Sequence, residues 1–328
     1  MEGAARKTPL AGESVDDLRE SVRSFLNVSL SAPVPKVNSI YEVKEDGYTR
    51  SLIRYPGPDG EEIKAFLLEP DGDSQGAVLA LHQHNSQWEM GKGEIAGLAG
   101  DPQQAFGPVL ALRGITVLAP DAVGFESRMK KPGAGSSLAP HLDRPHSSAD
   151  GWLQYYNQMA HRLVQGDLLM KKILDDSSLA LSVLHDRTKA QRMGVIGHSF
   201  GGMVALFLGA LDTRVAFTCS SGAVCSFQHK LLNGTALEMS LVIPGFAEKF
   251  DVDDLLRCVA PREIFVISAT DDPQTADADK MVKGAFKDFA ALGCPGHLEH
   301  LRVPGDHALD PARFDAIVEW VVVQAARS

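Results

Sequence analysis

Five short apolar runs set the strongest limit on what this chain can become: Ala77-Val-Leu-Ala-Leu81, Ile115-Thr-Val-Leu-Ala119, Met193-Gly-Val-Ile196, Val215-Ala-Phe-Thr-Cys219 and Ile264-Phe-Val-Ile267. None alternates cleanly between apolar and polar residues. A strand with one wet face must alternate, because successive side chains point to opposite sides. Runs that are apolar throughout are buried on both faces, the usual state of parallel strands covered by helices. Helical patterns separate them, around 103–113, 153–185, 200–211 and 276–292, and a strand near 298–303 precedes a final helix at 311–326. This β–α alternation predicts an α/β fold, a mostly parallel central sheet with helices on both faces.

The first part of the chain has a different character. Ser14 is a suitable N-cap for a helix that puts Val15, Leu18, Val22, Phe25 and Leu26 on one face. Segments 38–44, 48–54 and 62–69 are short, rich in β-formers and separated by turns such as Pro56-Gly-Pro-Asp-Gly60, the pattern of an antiparallel meander. Residues 1–36 then read as an N-terminal helical extension of a single domain spanning 1–328, a length that buries a core without covalent staples. Two intervals, 122–152 and 222–262, exceed ordinary connection lengths and read as loop or cap insertions around a site.

Composition narrows the partners. A formal net charge of −10, with basic residues no denser than the pairs Lys130-Lys131 and Lys171-Lys172, argues against nucleic acid. No apolar run reaches the ~18 residues that cross a bilayer, and the N-terminus shows no secretory pattern. The expectation is a cytoplasmic protein without a membrane partner. Cys219, Cys225, Cys258 and Cys294 are scattered and read as reduced thiols. Association with further copies of the chain is left open.

The chemistry is concentrated where one apolar run stops abruptly, at Val195-Ile-Gly-His-Ser-Phe-Gly-Gly-Met-Val-Ala205. Gly197-His-Ser199-Phe-Gly201 fits Gly-x-Ser-x-Gly, a sharp strand-to-helix turn that lifts the serine oxygen above the sheet. The glycines remove side chains that would collide with the neighbouring strand and helix. A serine hydroxyl needs a base to become a nucleophile, and the base needs an orienting carboxylate. On such a sheet the chain order is Ser, acid, His. Asp271 and Asp272 follow the strand at 264–267, and Asp272 is the preferred acid because the turn must travel beyond the strand before facing a histidine. His307, in Val303-Pro-Gly-Asp-His307, follows the last strand. An oxyanion would be held by the backbone amides of Phe200 and of Gln83 or His84, in the loop after the first parallel strand. His82 and His84 also invite a metal, but further ligands at suitable spacing are not evident, so no metal or cofactor is implied.

These residues resemble the α/β-hydrolase superfamily, in particular its dienelactone-hydrolase-like and acetyl-xylan-esterase-like branch. The resemblance runs from about residue 60 onwards. It is carried by Ala77-Val-Leu-Ala-Leu-His-Gln-His84, by Val117-Leu-Ala-Pro-Asp-Ala-Val-Gly-Phe-Glu-Ser-Arg128, and by Gly197-His-Ser-Phe-Gly-Gly202. Ala260-Pro-Arg262, Asp272-Pro273 and Gly305-Asp-His307 complete it. It implies that Ser199 attacks an ester carbon, that His307 carries the proton and that Asp272 orients His307. Ser199 stands where dienelactone hydrolases proper carry a cysteine. Glu126 and Arg128 resemble a loop motif near the site in the family, with a structural ion pair as the alternative.

The expected activity is hydrolysis of a small carboxylic ester or lactone through an acyl-enzyme. An acyltransferase or peptidase on the same triad, and a non-catalytic binding protein, are the competing readings. Trp88, His82, Trp152 and Tyr156 are candidate substrate-binding residues, and the two insertions offer Phe227, Leu231, Leu232, Ile243 and Phe246 as further lining. A covered pocket of this kind would favour compact acyl groups over long lipid chains.

Overall fold

A computed structural model describes residues 13–30, 32–130 and 148–327. Among these, nine strands form one sheet: β1 (Asn38–Lys44), β2 (Tyr48–Pro56), β3 (Glu62–Pro70), β4 (Gly76–Leu81), β5 (Ile115–Pro120), β6 (Met193–His198), β7 (Val215–Ser221), β8 (Glu263–Ala269) and β9 (Leu298–Val303). Their order is β1-β2-β3-β5-β4-β6-β7-β8-β9. The expected meander is there: β1, β2 and β3 pair antiparallel, and β3 joins the rest antiparallel to β5. From β5 to β9 every pairing is parallel.

The apolar runs owe their uniformity to two separate cores. On β4, Ala77, Leu79 and Leu81 point into one cluster while Val78 and Ala80 point into the other, and all six residues of the strand are buried. The helix Val15–Leu26 is capped by Ser14, whose Oγ accepts from the Asp17 amide at 3.1 Å. It adds Leu18, Val22 and Leu26 to the first cluster, each contributing roughly 1.5–3 kcal/mol by leaving water.

Two helical expectations change. The pattern at 153–185 is two helices, Ser148–Val164 and Leu169–Thr188, with Gly166 between them at a φ of +75° that ends the first. The pattern at 103–113 divides into a 3-10 turn at Pro102–Gln104 and a helix at Phe106–Leu112. The interval 222–262 is no open loop. It carries short helices at Phe227–Asn233, Phe246–Lys249 and Val252–Val259, the first and last started by side chains: the Ser226 hydroxyl accepts from the His229 amide, and Asp251 and Asp254 form a capping box. Of the insertion at 122–152, residues 131–147 lie outside the described residues. No described helix is long and apolar enough to cross a membrane.

The sheet order matters for chemistry. From β4 the chain steps to β5 on one side, and β6 lies on the other, so the connections diverge between β4 and β6. A crevice opens at the carboxyl ends of strands where connections diverge in this way, and ligands of open α/β sheets bind there.

Candidate active site

At that crevice the chain turns from β6 into the helix Phe200–Leu211 through Ser199, which has φ +55° and ψ −121°. Left-handed backbone is costly for a residue other than glycine, and the surroundings enforce it. The Ser199 amide donates to the Ser221 carbonyl at 2.8 Å. A side chain at Gly197 would put its Cβ 2.3 Å from the Gly201 carbonyl carbon, and one at Gly201 would lie 2.1 Å from the Leu81 oxygen. The glycines are therefore a consequence of backbone touching backbone.

Ser199 Oγ lies 2.7 Å from His307 Nε2, and His307 Nδ1 lies 3.0 Å from Asp272 Oδ2. With Nδ1–H donating to the carboxylate, Nε2 is left to accept from the serine hydroxyl. Asp272 is buried, and burial alone would raise its pKa. The hydrogen bond and charge of His307, the Gln274 amide at 2.8 Å from Oδ1 and the Thr275 hydroxyl outweigh that and hold it below the ordinary carboxylate value. Asp271, its neighbour, points outward to the Thr270 hydroxyl, while its amide donates to Gly305 and so ties the two loops together.

The other sequence candidates separate into two groups. Gln83, His84, Trp88, Trp152 and Phe200 border one cleft of about 460 Å³ together with Ser199 and His307. His84 sits among the rings of Trp88, Phe125 and Tyr155, 5.1–5.5 Å from each centroid. Burial, with His82 adding to it, pushes its pKa down to about 4, and its Nδ1 accepts from the Ser86 amide at 2.9 Å. His82 does not border this cleft: it is buried, its Nε2 accepts from the Ala122 amide at 3.1 Å, and it faces a small internal space under the turn. Tyr156 is also off the wall, stacked on Trp152 with centroids 5.2 Å apart and planes 11° from parallel. Among the described residues no group of three or more His, Cys, Asp or Glu is placed to hold a metal ion.

The segment 222–262 supplies Gly222, Ala223, Leu237, Met239 and Leu241 to the cleft, but not the residues expected of it. Phe227 and Phe246 are buried in the core, Ile243 is buried beside them, and Leu231 and Leu232 are exposed. On the helix Phe227–Asn233 the residues that turn inward are Phe227 and Lys230. Glu126 and Arg128 do not pair with each other. Arg128 bonds Asp176 at 2.8 Å and Glu61 at 2.6 Å, while Glu126 takes Lys92 and the Gly93 amide.

One residue that the sequence gave no reason to single out is His198. Its buried ring donates from Nε2 to the His307 carbonyl at 2.9 Å and accepts at Nδ1 from the Ser221 hydroxyl at 3.0 Å. Burial, reinforced by His307, pushes its pKa down to about 3, so the ring is neutral. It stitches the serine turn to the histidine loop. Its only signal is its place as the variable residue in Gly-x-Ser-x-Gly, where any side chain satisfies the pattern.

Sheet order, crevice and strand-to-helix turn together define an α/β-hydrolase fold. No protein-family model matches the chain. Over 260 residues it is 26% identical to "Putative hydrolase YtaP" of Bacillus subtilis (strain 168), an alignment covering 75% of this chain and 78% of that one. Among solved structures it is similar to a glucuronoyl esterase from Solibacter usitatus (TM-score 0.65, 15% identity, 93% of this chain and 92% of that one). It is also similar to acetyl xylan esterase 1 from Thermoanaerobacterium sp. JW/SL YS485 (TM-score 0.60, 17% identity, 94% of each). At these identities the structural likeness speaks for the fold.

Proposed function

We propose that the protein is a serine-dependent carboxylic-ester hydrolase. The observation that carries this is the unbroken chain of hydrogen bonds from Ser199 through His307 to Asp272, set at the crevice of the sheet and open to the cleft. Similarity to proteins named as a hydrolase and as esterases supports the same reading.

In this mechanism the Ser199 oxygen attacks the ester carbonyl carbon while His307 Nε2 takes its proton. Asp272 keeps the other ring proton on Nδ1 and stabilises the imidazolium. The tetrahedral oxyanion is held by the amide of Phe200, at the N-terminus of its helix, and by an amide of Gln83 or His84. His307 then returns the proton to the leaving alcohol, and a water deprotonated by the same ring releases the acid from Ser199. The cleft, walled by Trp88, Trp152, Met203 and Leu241, suits a compact ester or lactone. Ser199→Ala should lower kcat on a short-chain p-nitrophenyl ester by about 10³-fold or more, with the circular-dichroism spectrum and melting temperature retained. A variant that kept its rate would end the proposal.

A further inference from the structure

We propose that Lys230 and Gln274 form a subsite for an anionic oxygen group, so that the preferred substrate is an ester carrying an ionised carboxylate of its own. The inference deepens the esterase reading and rests on it.

Lys230 stands on the inward face of the helix Phe227–Asn233 and is only 4% exposed, yet it borders the same cleft as Ser199. A buried ammonium is expensive unless it is paired. Among the described residues Lys230 forms no ion pair, and its Nζ donates to a neutral acceptor, the side-chain oxygen of Gln274. Two carboxylates are near enough to act on it electrostatically, and both are committed elsewhere. Asp272 serves His307 and the Gln274 amide, and Asp277 takes the Ser226 amide at 2.9 Å and the Ser226 hydroxyl at 2.5 Å. An ammonium has three donors, and Gln274 occupies one.

Gln274 holds the arrangement in register with the triad. Its amide donates to Asp272 Oδ1, its side-chain nitrogen donates to the Ala236 carbonyl at 3.3 Å, and its oxygen is thereby left facing Lys230. Burial lowers the pKa of Lys230, against the pull of Cys225, Asp272 and Asp277, as expected of a cation lacking a close counter-charge. Glu238 borders the cleft too. Its carboxyl is pushed up, chiefly by burial, and takes the amide and hydroxyl of Ser240. A chain with a formal charge of −10 thus places a lysine on the wall of the cleft that holds its serine.

The test compares charged and neutral partners of nearly one shape, on both halves of the ester: monoethyl adipate against the ethyl ester of adipic acid monoamide, and 4-acetoxybenzoate against 4-acetoxybenzamide. The unsubstituted protein should favour the charged member of one pair by about tenfold or more in kcat/KM, the size of a charge-assisted hydrogen bond. Lys230→Met should bring that ratio towards one. Gln274→Glu should do the same with the lysine still present, by giving it an internal counter-charge. Because the readout is a ratio, a partial loss of folded protein cancels. A neutral preference in both pairs, a ratio unmoved in Lys230→Met, or an equal loss on both members would overturn the subsite. Calorimetry of monoethyl adipate on Ser199→Ala protein separates the two proposals. Lys230-dependent binding without any turnover by the unsubstituted protein would remove the esterase reading alone, and turnover without charge preference would remove the subsite alone.

Discussion

The turn at 197–202 and the wall at 226–241 face the same cleft and are built by opposite means. In the turn, backbone meets backbone: a single added carbon at Gly201 would sit 2.1 Å from the Leu81 oxygen. In the wall, short helices hang from side-chain caps, and two of their leucines, Leu231 at 62% and Leu232 at 69%, lie open to solvent. In the proposed mechanism the turn fixes where the reacting oxygen sits, and its glycines leave no room for a side chain. The wall fixes what may lie beside that oxygen, and its outer face is free to change. On the proposed reading, chemistry and selectivity fall to parts of the chain under different packing constraints.

Five substitutions test this contrast. Asp272→Asn should lower kcat by about 10³–10⁴-fold by spoiling the tautomer of His307, while Asp271→Asn, one residue away and outward, should stay near the unsubstituted rate. The reverse ranking in side-by-side kinetics would move the orienting role to Asp271. Gly201→Ala should cost roughly 3 kcal/mol, the upper range for overpacking, read as a drop in the urea midpoint. A midpoint left where it was would mean that the turn is looser than its contacts.

His198→Gln probes the stitch between turn and histidine loop through pH. Unfolded, a histidine takes up a proton below about pH 6.5, whereas folded His198 resists until about pH 3. Between those values the unfolded state binds more protons, so stability is present near neutrality and is lost as the pH falls. Going from pH 7 to pH 5 the native protein should lose about 2 kcal/mol on this account, and His198→Gln should not show that part of the loss. Equal acid sensitivity of the two proteins in urea titrations would reject the buried neutral ring. Leu232→Ser, on the outer wall, should change stability by no more than about 0.5 kcal/mol; a larger loss would reveal a contact that its exposure hides.

The sheet was legible because burial on both faces leaves a mark in composition. β4, β5, β6, β7 and β8 each carry a largely apolar run, since each feeds two cores at once. The elbow was legible for a related reason: its glycines and serine fall within six residues, so one local pattern records the whole geometry. Asp272 and His307 could be ranked from chain order on the sheet. The wall was not legible. Phe246 and Leu232 are both apolar, and only the placement of their helices sends one to the core and the other to water. The break at Gly166 was missed because apolar periodicity runs on across it.

The sequence alone therefore determined the α/β layering and the turn at Ser199, both of which depend on neighbours in the chain or on burial common to a whole strand. Tertiary structure alone decided that His198 bridges two loops, that His82 turns away from the cleft, and that Lys230 meets Gln274 44 residues further on. Contacts between distant residues depend on how helices and loops lie on the sheet, and a pairing of two polar side chains leaves no periodicity in either segment from which to read it.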